Sequence, residues 1–199
     1  MTSRRLLTDC SGSGAAEFSL VLPLLLMMLF GIIDGGRFIW EYNRAEKATQ
    51  AGARMAVVTD VVSTGLATQE YVGTNGLTQG DLIPITALSP VVCSRSACTC
   101  TGSCPTNFAT ANTASFNAIL ARMQGLKPDL LAANVQVEYR GSGLGYAGDP
   151  NGMQISPLVT VRITQLTFTP LTSLLLATIT MPDFRTTLTA EDSAGTQSN

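Results

Sequence analysis

The sequence predicts an α+β fold in which a long N-terminal helix packs on a small antiparallel sheet that carries a disulfide-rich loop. Three observations support this prediction. An apolar run near the N-terminus is long enough to cross a membrane, strong helix formers follow it without an intervening proline, and segments of the C-terminal half alternate apolar and polar residues. The helix is therefore expected to have a transmembrane half and a soluble half.

The transmembrane half is predicted from the apolar run between Ala15 and Ile33. As a helix this run would be about 28 Å long, which is close to the roughly 30 Å thickness of the hydrocarbon core. It is too long for the apolar core of an ordinary cleaved signal peptide. The aromatic residues Phe38, Trp40 and Tyr42 follow it and suit a membrane interface. We expect a single membrane span.

The orientation is predicted from the charges that flank the span. Arg4 and Arg5 precede it, with Asp9 as the only nearby acid. The positive-inside rule therefore predicts that the N-terminus is cytoplasmic and that the C-terminal domain is extracytoplasmic. The cysteine content of that domain favours the same orientation, because disulfides persist outside the cytoplasm.

The soluble half of the helix is predicted from the segment between Glu41 and Val58. Ala, Glu, Lys, Gln, Arg and Met dominate it, and these residues are strong helix formers. Small residues recur at steps of three and four and would let another helix or a sheet approach closely. This stripe consists of Tyr42, Ala45, Ala48, Gly52, Met55 and Ala56. We expect a continuous helix from about Gly14 to Val58, with Pro23 as a source of a kink.

Four of the five cysteines are close together in the segment CSRSACTCTGSC. In an extracytoplasmic domain they predict two disulfides. Cys98 and Cys100 are too close in sequence to bond each other. Two pairings stay open: Cys93–Cys98 with Cys100–Cys104, or Cys93–Cys100 with Cys98–Cys104. A four-thiolate metal site is disfavoured because C-x-x-C pairs are missing, and neither a metal nor another cofactor is expected. Cys10 precedes the span.

The remaining elements are predicted from periodicity and from turn residues. The segment FNAILARM places four apolar residues on one helical face, with Asn112 or Thr113 as the N-cap and Gly125 as the stop. The expected strands are VQVEY (135–139), LVTVRITQLTF (158–168) and ITMPDFRTTLTA (179–190, bent at Pro182), and LIPITALSPVV (82–92) is at best an irregular edge element. The glycine-rich segment GSGLG is expected to be a loop between strands and not a phosphate site, since no helix follows it. The segment TPLTSLLLA (169–177) is too short to span a membrane and is expected to bury its leucines in the domain.

The composition excludes several classes of function. Hydrophobic residues make up 45% of the chain and charged residues 13%, with a net charge of −2 and no histidine. The basic residues are scattered, so a nucleic-acid partner is not expected. Without histidine the chain lacks the commonest general base and zinc ligand. No Ser-x-x-Lys arrangement occurs either. We therefore expect neither catalytic activity nor a small-molecule substrate.

Glu17 is an acid at the start of an apolar helix, where a charge needs a partner or favourable surroundings. One explanation is that it lies among the lipid headgroups near the positive end of the helix. The other depends on its spacing from Gly12. Cleavage between Gly12 and Ser13 would create an amine one helical turn before Glu17, and the amine of one subunit could neutralise the carboxylate of its neighbour.

These residues also resemble two known processing and assembly motifs. The pattern G-x-x-x-x-E-F ahead of an apolar helix resembles the processing site of Flp-type prepilins. The longer run GAAEFSLVLPLLLMMLFGIIDGGRFIWEYNRAEKATQAGARMAVV is similar to the TadE-like family of tight-adherence pilus assembly proteins. The matching features are AAEF, VLPLLL, FGIIDGGR and A-x-x-GAR. Asp34 stands where family members commonly have Glu. The C-terminal strands are similar to the family in a looser way.

The resemblance implies a pilin-like fold and a minor pilin or pseudopilin that takes part in assembly or initiation of a tight-adherence (Flp, type IVb) pilus. It implies cleavage by a prepilin peptidase at Gly12/Ser13, with Glu17 as the acid that pairs with the new amine. The implied partners are the peptidase, other pilin-like subunits, the assembly machinery and membrane lipid. The implied locations are the bacterial inner membrane and, after incorporation into a filament, a surface pilus. The alternative is an uncleaved, membrane-anchored adhesin or binding module.

These inferences divide the chain into six expected parts. They are a cytoplasmic leader that is removed (1–12), a transmembrane helix (13–40), its soluble continuation (41–58), a loop-rich insertion with four cysteines (59–112), an α+β extracytoplasmic domain (113–192) and a disordered tail (193–199).

Overall fold

The computed structural model describes residues 13–150, 152–174 and 177–190. Its α-helices are α1 (Ser13–Ala56), α2 (Thr64–Ala67) and α3 (Thr113–Gln124), and its strands are β1 (Val91–Cys93), β2 (Cys98–Cys100), β3 (Val135–Arg140), β4 (Leu158–Ile163), β5 (Thr167–Phe168), β6 (Ile179–Thr180) and β7 (Phe184–Thr189). Short 3₁₀ turns cover Thr74–Gly76, Ile85–Ala87, Ala132–Asn134 and Leu171–Leu174. The α+β class expected from the sequence is confirmed.

The predicted long helix is α1, whose 44 residues give a length of about 66 Å. The α-helix continues through Pro23. The chain divides into two compact units, and α1 contributes to both. The first unit contains the residues up to Glu41 and the segment 167–179, and the second contains 42–166 and the residues from Thr180 onward.

The second unit is built on an antiparallel sheet with the strand order β2-β1-β3-β4-β7. Its central strands β3 and β4 pair along their whole length, with Val137 opposite Val161. The alternation that predicted these strands places Val135, Val137, Tyr139, Val159, Val161 and Ile163 on a buried face. The sheet is wider than the sequence predicts, because the cysteine-containing hairpin β1–β2 extends it through β1 and β3.

The soluble part of α1 packs on this sheet through its small residues. Ala45, Ala48 and Ala53 are fully buried, and Gly52 is so close to the neighbouring elements that an added Cβ would lie 2.7 Å from Met123 and 3.2 Å from Val161. The stripe of small residues therefore brings the helix into close contact with α3 and β4, as its spacing predicts. Tyr42 makes an edge-on contact with Phe184 at a ring separation of 4.8 Å.

Helix α3 also forms as predicted. Asn112 is its N-cap, and its side chain accepts hydrogen bonds from the backbone N–H groups of Ala114 and Ser115. The apolar face that the sequence predicts is buried and consists of Phe116, Ile119, Leu120 and Met123. The helix ends at Gln124, immediately before Gly125.

Two predicted strands are shorter than expected. The strand expected over 158–168 ends at Ile163, because Gln165 adopts a positive φ of 58° that an extended strand cannot contain. The strand expected over 179–190 is divided into β6 and β7, and Pro182 lies in the gap between them. In the predicted edge element over 82–92, the last two residues are strand and Ile85–Ala87 form a 3₁₀ turn.

Candidate functional site

The first part of α1 has the character of a membrane-spanning segment. Its most apolar window of 18 residues has no residue buried inside the molecule. Large apolar side chains therefore face outward along this part of the helix, and Leu20, for example, is 80% exposed. Soluble monomers rarely expose so large an apolar surface to water, so this half of α1 is suited to contact with lipid or with other helices. The helix is long and apolar enough for the single span expected from the sequence.

The residues of the predicted processing site lie at the beginning of this helix. Gly12 and Cys10 are outside the described residues. Ser13 is the first residue of α1, and Glu17 is exposed and lies one residue beyond the first helical turn. The helical rise places the backbone of Glu17 about 6 Å along the axis from that of Ser13. A new amine at Ser13 and the Glu17 carboxylate would therefore be separated by one turn of the same helix.

A second acid of this helix has a set of partners that the sequence does not reveal. Asp34 is buried, with 7% of its surface exposed, although it lies within the predicted span. One carboxylate oxygen, Oδ1, accepts a hydrogen bond of 2.7 Å from the backbone N–H of Leu171. The other, Oδ2, accepts hydrogen bonds from the backbone N–H of Thr172 at 3.1 Å and from its hydroxyl at 2.9 Å. Arg37 forms an ion pair with Oδ1 at 3.1 Å.

Aromatic and cationic contacts support the same attachment. Phe38, one helical turn after Asp34, makes an edge-to-face contact with Phe168 at a centroid separation of 5.4 Å. The Arg37 guanidinium lies 5.4 Å from the centroid of the Phe168 ring, which is a cation–π distance. The segment 167–174 is thus fixed to α1 by one carboxylate and one aromatic ring. We call these contacts of Asp34, Arg37 and Phe38 with Phe168, Leu171 and Thr172 the Asp34 clasp.

The Asp34 clasp could not be found from the sequence, because its two sides are separated by 137 positions. The sequence shows only that Asp34 is an acid in an apolar helix, which predicts that it has a partner but does not identify that partner. The segment TPLTSLLLA, expected from the sequence to bury its leucines, instead leaves Leu171 largely exposed. Glu17 and Asp34 are on the same helix, and the contacts described for Asp34 do not include Glu17.

The four clustered cysteines lie in the second unit, where they close the hairpin β1–β2 and the loop that follows it. Cys93 and Cys98 are opposite each other across β1 and β2 and are joined by a disulfide. A second disulfide joins Cys100 to Cys104. Of the two pairings that the sequence left open, the structure has Cys93–Cys98 with Cys100–Cys104. All four thiols are used, and the described residues contain no cluster of three or more His, Cys, Asp or Glu side chains that could hold a metal.

A cleft of about 730 Å³ in the second unit has a polar lining, which is drawn mainly from residues 60–70 and, among the described residues, from 149–156. Gln154, at its edge, donates a hydrogen bond to Glu70 and accepts one from the backbone N–H of Tyr71, so these polar groups are used in joining the two segments. The cleft therefore has a structural explanation.

An ion-pair cluster lies on the outer face of the sheet. Glu138 is buried and forms ion pairs with Arg140, at 3.0 Å, and with Arg162. The cluster links β3 to β4 on the face opposite to Val137 and Tyr139. On the inner face, the Tyr139 hydroxyl accepts a hydrogen bond of 2.9 Å from the backbone N–H of Val62, and complete burial raises the pKa of this tyrosine. These groups stabilise the sheet.

Comparisons with known proteins identify the N-terminal segment. The family model described as TadE-like protein matches residues 12–54, which include Ser13, Glu17, Asp34 and most of α1. No curated protein and no solved structure matches the chain. The TadE-like family is pilus-associated and non-enzymatic, and its presence indicates a function related to the Tad pilus. Residues 12–54 are therefore a TadE-like segment, which confirms the family that the sequence resembles.

Proposed function

We propose that this chain is a membrane-anchored minor pilin or pseudopilin that takes part in the assembly or initiation of a tight-adherence (Flp, type IVb) pilus. The observation that carries the proposal is the coincidence of the TadE-like match, residues 12–54, with helix α1. The first half of that helix exposes its apolar side chains, while its second half is packed on a sheet. A protein of this form can be held in the membrane by the same helix that later enters a helical bundle of subunits.

In this proposal the chain is inserted in the bacterial inner membrane with its N-terminus in the cytoplasm and its disulfide-bonded domain outside. A prepilin peptidase removes the leader at Gly12/Ser13, and the new amine of Ser13 pairs with Glu17 of a neighbouring subunit. Two features support this pairing. Glu17 is exposed on the helix, and one helical turn separates it from Ser13, so a small axial shift between adjacent helices brings the two groups together. Other pilin-like subunits and the assembly machinery are the partners.

The role is non-catalytic. The chain contains no histidine, and the TadE-like family is a non-enzymatic one. The polar cleft between 60–70 and 149–156 is bridged by its own side chains.

The first test is the mass and the N-terminal sequence of the protein recovered from membranes, in cells with and without the prepilin peptidase. We expect a mature terminus at Ser13 that is lost when the peptidase is absent. The same Met1 or Thr2 terminus in both strains would contradict the pseudopilin proposal. The protein would then be an uncleaved, membrane-anchored adhesin or binding module.

The second test is the variant Glu17→Gln, which removes the charge and preserves the size of the side chain. A charge-assisted hydrogen bond contributes about 1.5–3 kcal/mol, so loss of the pairing should reduce incorporation into pili by roughly tenfold or more. Sheared pili and membranes are compared by immunoblotting. Glu46→Gln, an exposed acid on the soluble part of α1, is the matched control and should leave incorporation unchanged. Equal incorporation of both variants would refute the role of Glu17.

A further inference from the structure

The segment held by the Asp34 clasp is formed by residues that lie far from the predicted span in sequence. Residues 167–179 belong to the same compact unit as the first part of α1, and not to the unit that contains the sheet. The sequence of this segment, TFTPLTSLLLATI, has no charged residue. Leu, Ile and Phe make up six of its 13 residues.

The clasp determines the depth at which this segment lies relative to the span. Asp34 is about 28 Å along the helix from Ala15, which is nearly the full thickness of the hydrocarbon core. If Ala15 lies at the cytoplasmic boundary of the core, Asp34 lies at the outer boundary. Phe38 and Trp40, which follow it, have the side chains of an interfacial belt. Leu171 and Thr172, bonded to Asp34, are therefore at the outer interface.

The clasp also determines which side chains of the segment are used internally. The polar groups at the attachment point turn inward, because the backbone N–H groups of Leu171 and Thr172 and the Thr172 hydroxyl donate to the buried carboxylate. Phe168 is buried against Phe38. The Leu171 side chain, in contrast, is 57% exposed, and Ile179 is 46% exposed. Thr167, Thr169 and Thr178 are exposed as well. The segment thus satisfies backbone donors at its attachment point and presents Leu171 and Ile179 outward among uncharged threonines.

We propose that the part of this segment from Thr167 to Leu174 is a second membrane contact of this protein, which lies in the outer interface of the bilayer beside the transmembrane helix and inserts Leu171 among the lipid acyl chains. The same compact unit also exposes Ile33 and Ile39 of α1. An irregular backbone segment can lie at this depth only if its polar groups are hydrogen-bonded within the protein. The Asp34 carboxylate meets this need for the backbone N–H groups of Leu171 and Thr172.

This inference rests on the membrane anchoring proposed above, and its test separates the two. The full chain is reconstituted at low protein density in phosphatidylcholine–phosphatidylglycerol vesicles, and tryptophan fluorescence is quenched with phosphatidylcholine brominated at shallow or deep acyl positions. The chain has one tryptophan, Trp40. The unmodified protein therefore reports on the anchor. Leu171→Trp in a Trp40→Phe background reports on the segment.

We expect shallow brominated lipid to quench Leu171→Trp strongly and aqueous acrylamide to quench it weakly. Leu144→Trp in the same background is the control, because Leu144 is exposed to a similar extent, 52%, in a loop of the other unit. It should show the opposite pattern. Quenching of Trp40 without quenching at position 171 would overturn this inference alone, and absence of both would overturn the anchoring as well. Protection at position 171 that appears only at high protein density would assign Leu171 to a contact between copies and would also overturn it.

Discussion

The two halves of helix α1 have the same secondary structure and opposite surroundings. In the first half the glycines Gly31, Gly35 and Gly36 have no atom within 4 Å of the position that a Cβ would occupy, outside their own neighbourhood in the helix. In the second half Gly52 is in close contact with Met123 and Val161. The more apolar half is the one whose side chains remain exposed, while alanines of the less apolar half are fully buried.

This difference shows that, within α1, burial follows the size of the side chains on a stripe more than their hydrophobicity. The second half buries small residues, which allow helix and sheet to approach closely, and the resulting contacts stabilise the unit. The first half carries large apolar residues without partners within its own chain, so its stabilisation must come from lipid or from other subunits. One helix thereby serves as a structural element of a domain and as an anchor.

The largest expected effect comes from filling the space next to Gly52. Gly52→Leu would force a large side chain into the contact with Met123 and Val161, and overpacking of this kind should cost about 3 kcal/mol or prevent folding of the domain. Urea unfolding of the full chain in detergent micelles, followed by near-UV circular dichroism, measures the effect. Gly52→Ala should show a smaller loss in the same direction, since the flexible Met123 side chain can move away.

The matched variant Gly35→Leu sharpens the comparison. The position is exposed and has space for a side chain, so the free energy of unfolding of the sheet domain should stay unchanged. Equal destabilisation by Gly52→Leu and Gly35→Leu would show that the two halves do not differ in packing. Reduced incorporation of Gly35→Leu into pili, with unchanged stability, would instead indicate a helix contact between subunits.

A smaller effect is expected from the covalent links, which the second unit has and the described part of the first unit lacks. The double variant Cys100→Ser/Cys104→Ser opens a short loop. Without the disulfide the unfolded chain has more conformational entropy, and the free energy of unfolding should fall by about 2 kcal/mol. The same denaturation experiment measures it. Membrane insertion of α1, followed by carbonate extraction, should be unaffected. If the variant unfolded at the same urea concentration as the parent protein, the loop would contribute nothing to the stability of the domain.

Much of the fold could be predicted because its signals are local. The periodicity of α1 and α3, the N-cap at Asn112 and the alternation in β3 each depend on residues within a few positions, and each predicted element forms. The TadE-like segment is also local, which is why it could be recognised from the residues of α1 alone. The end of β4 could not be predicted in this way, since the positive φ of Gln165 is a backbone conformation that an alternating pattern of polar and apolar residues does not encode.

The features that the sequence did not predict depend on contacts between distant segments. The hairpin β1–β2 joins the sheet through β3, and its short strands lie among turn-forming residues that hide their alternation. The partners of Asp34 lie near position 171, in a segment whose leucines suggested a buried connection. A carboxylate can bind any pair of free backbone N–H groups, so its presence does not specify which segment supplies them.

The smallest effect on global stability, and the sharpest local one, is expected for Asp34→Asn. Both carboxylate oxygens of Asp34 accept hydrogen bonds from Leu171 or Thr172. Asparagine keeps one accepting oxygen and replaces the other with an NH₂ group, which cannot accept, so at least one of these hydrogen bonds is lost. The urea midpoint of the sheet domain should stay unchanged, while hydrogen exchange at the amides of these two residues should accelerate by about tenfold, corresponding to 1.4 kcal/mol. Exchange is measured on the full chain in lipid nanodiscs.

Asp183→Asn, which changes an exposed acid of the other unit, is the control and should leave this exchange unaffected. Unchanged exchange in both variants would mean that the Asp34 carboxylate does not hold the segment in place, and that Phe168 and the surrounding lipid are sufficient.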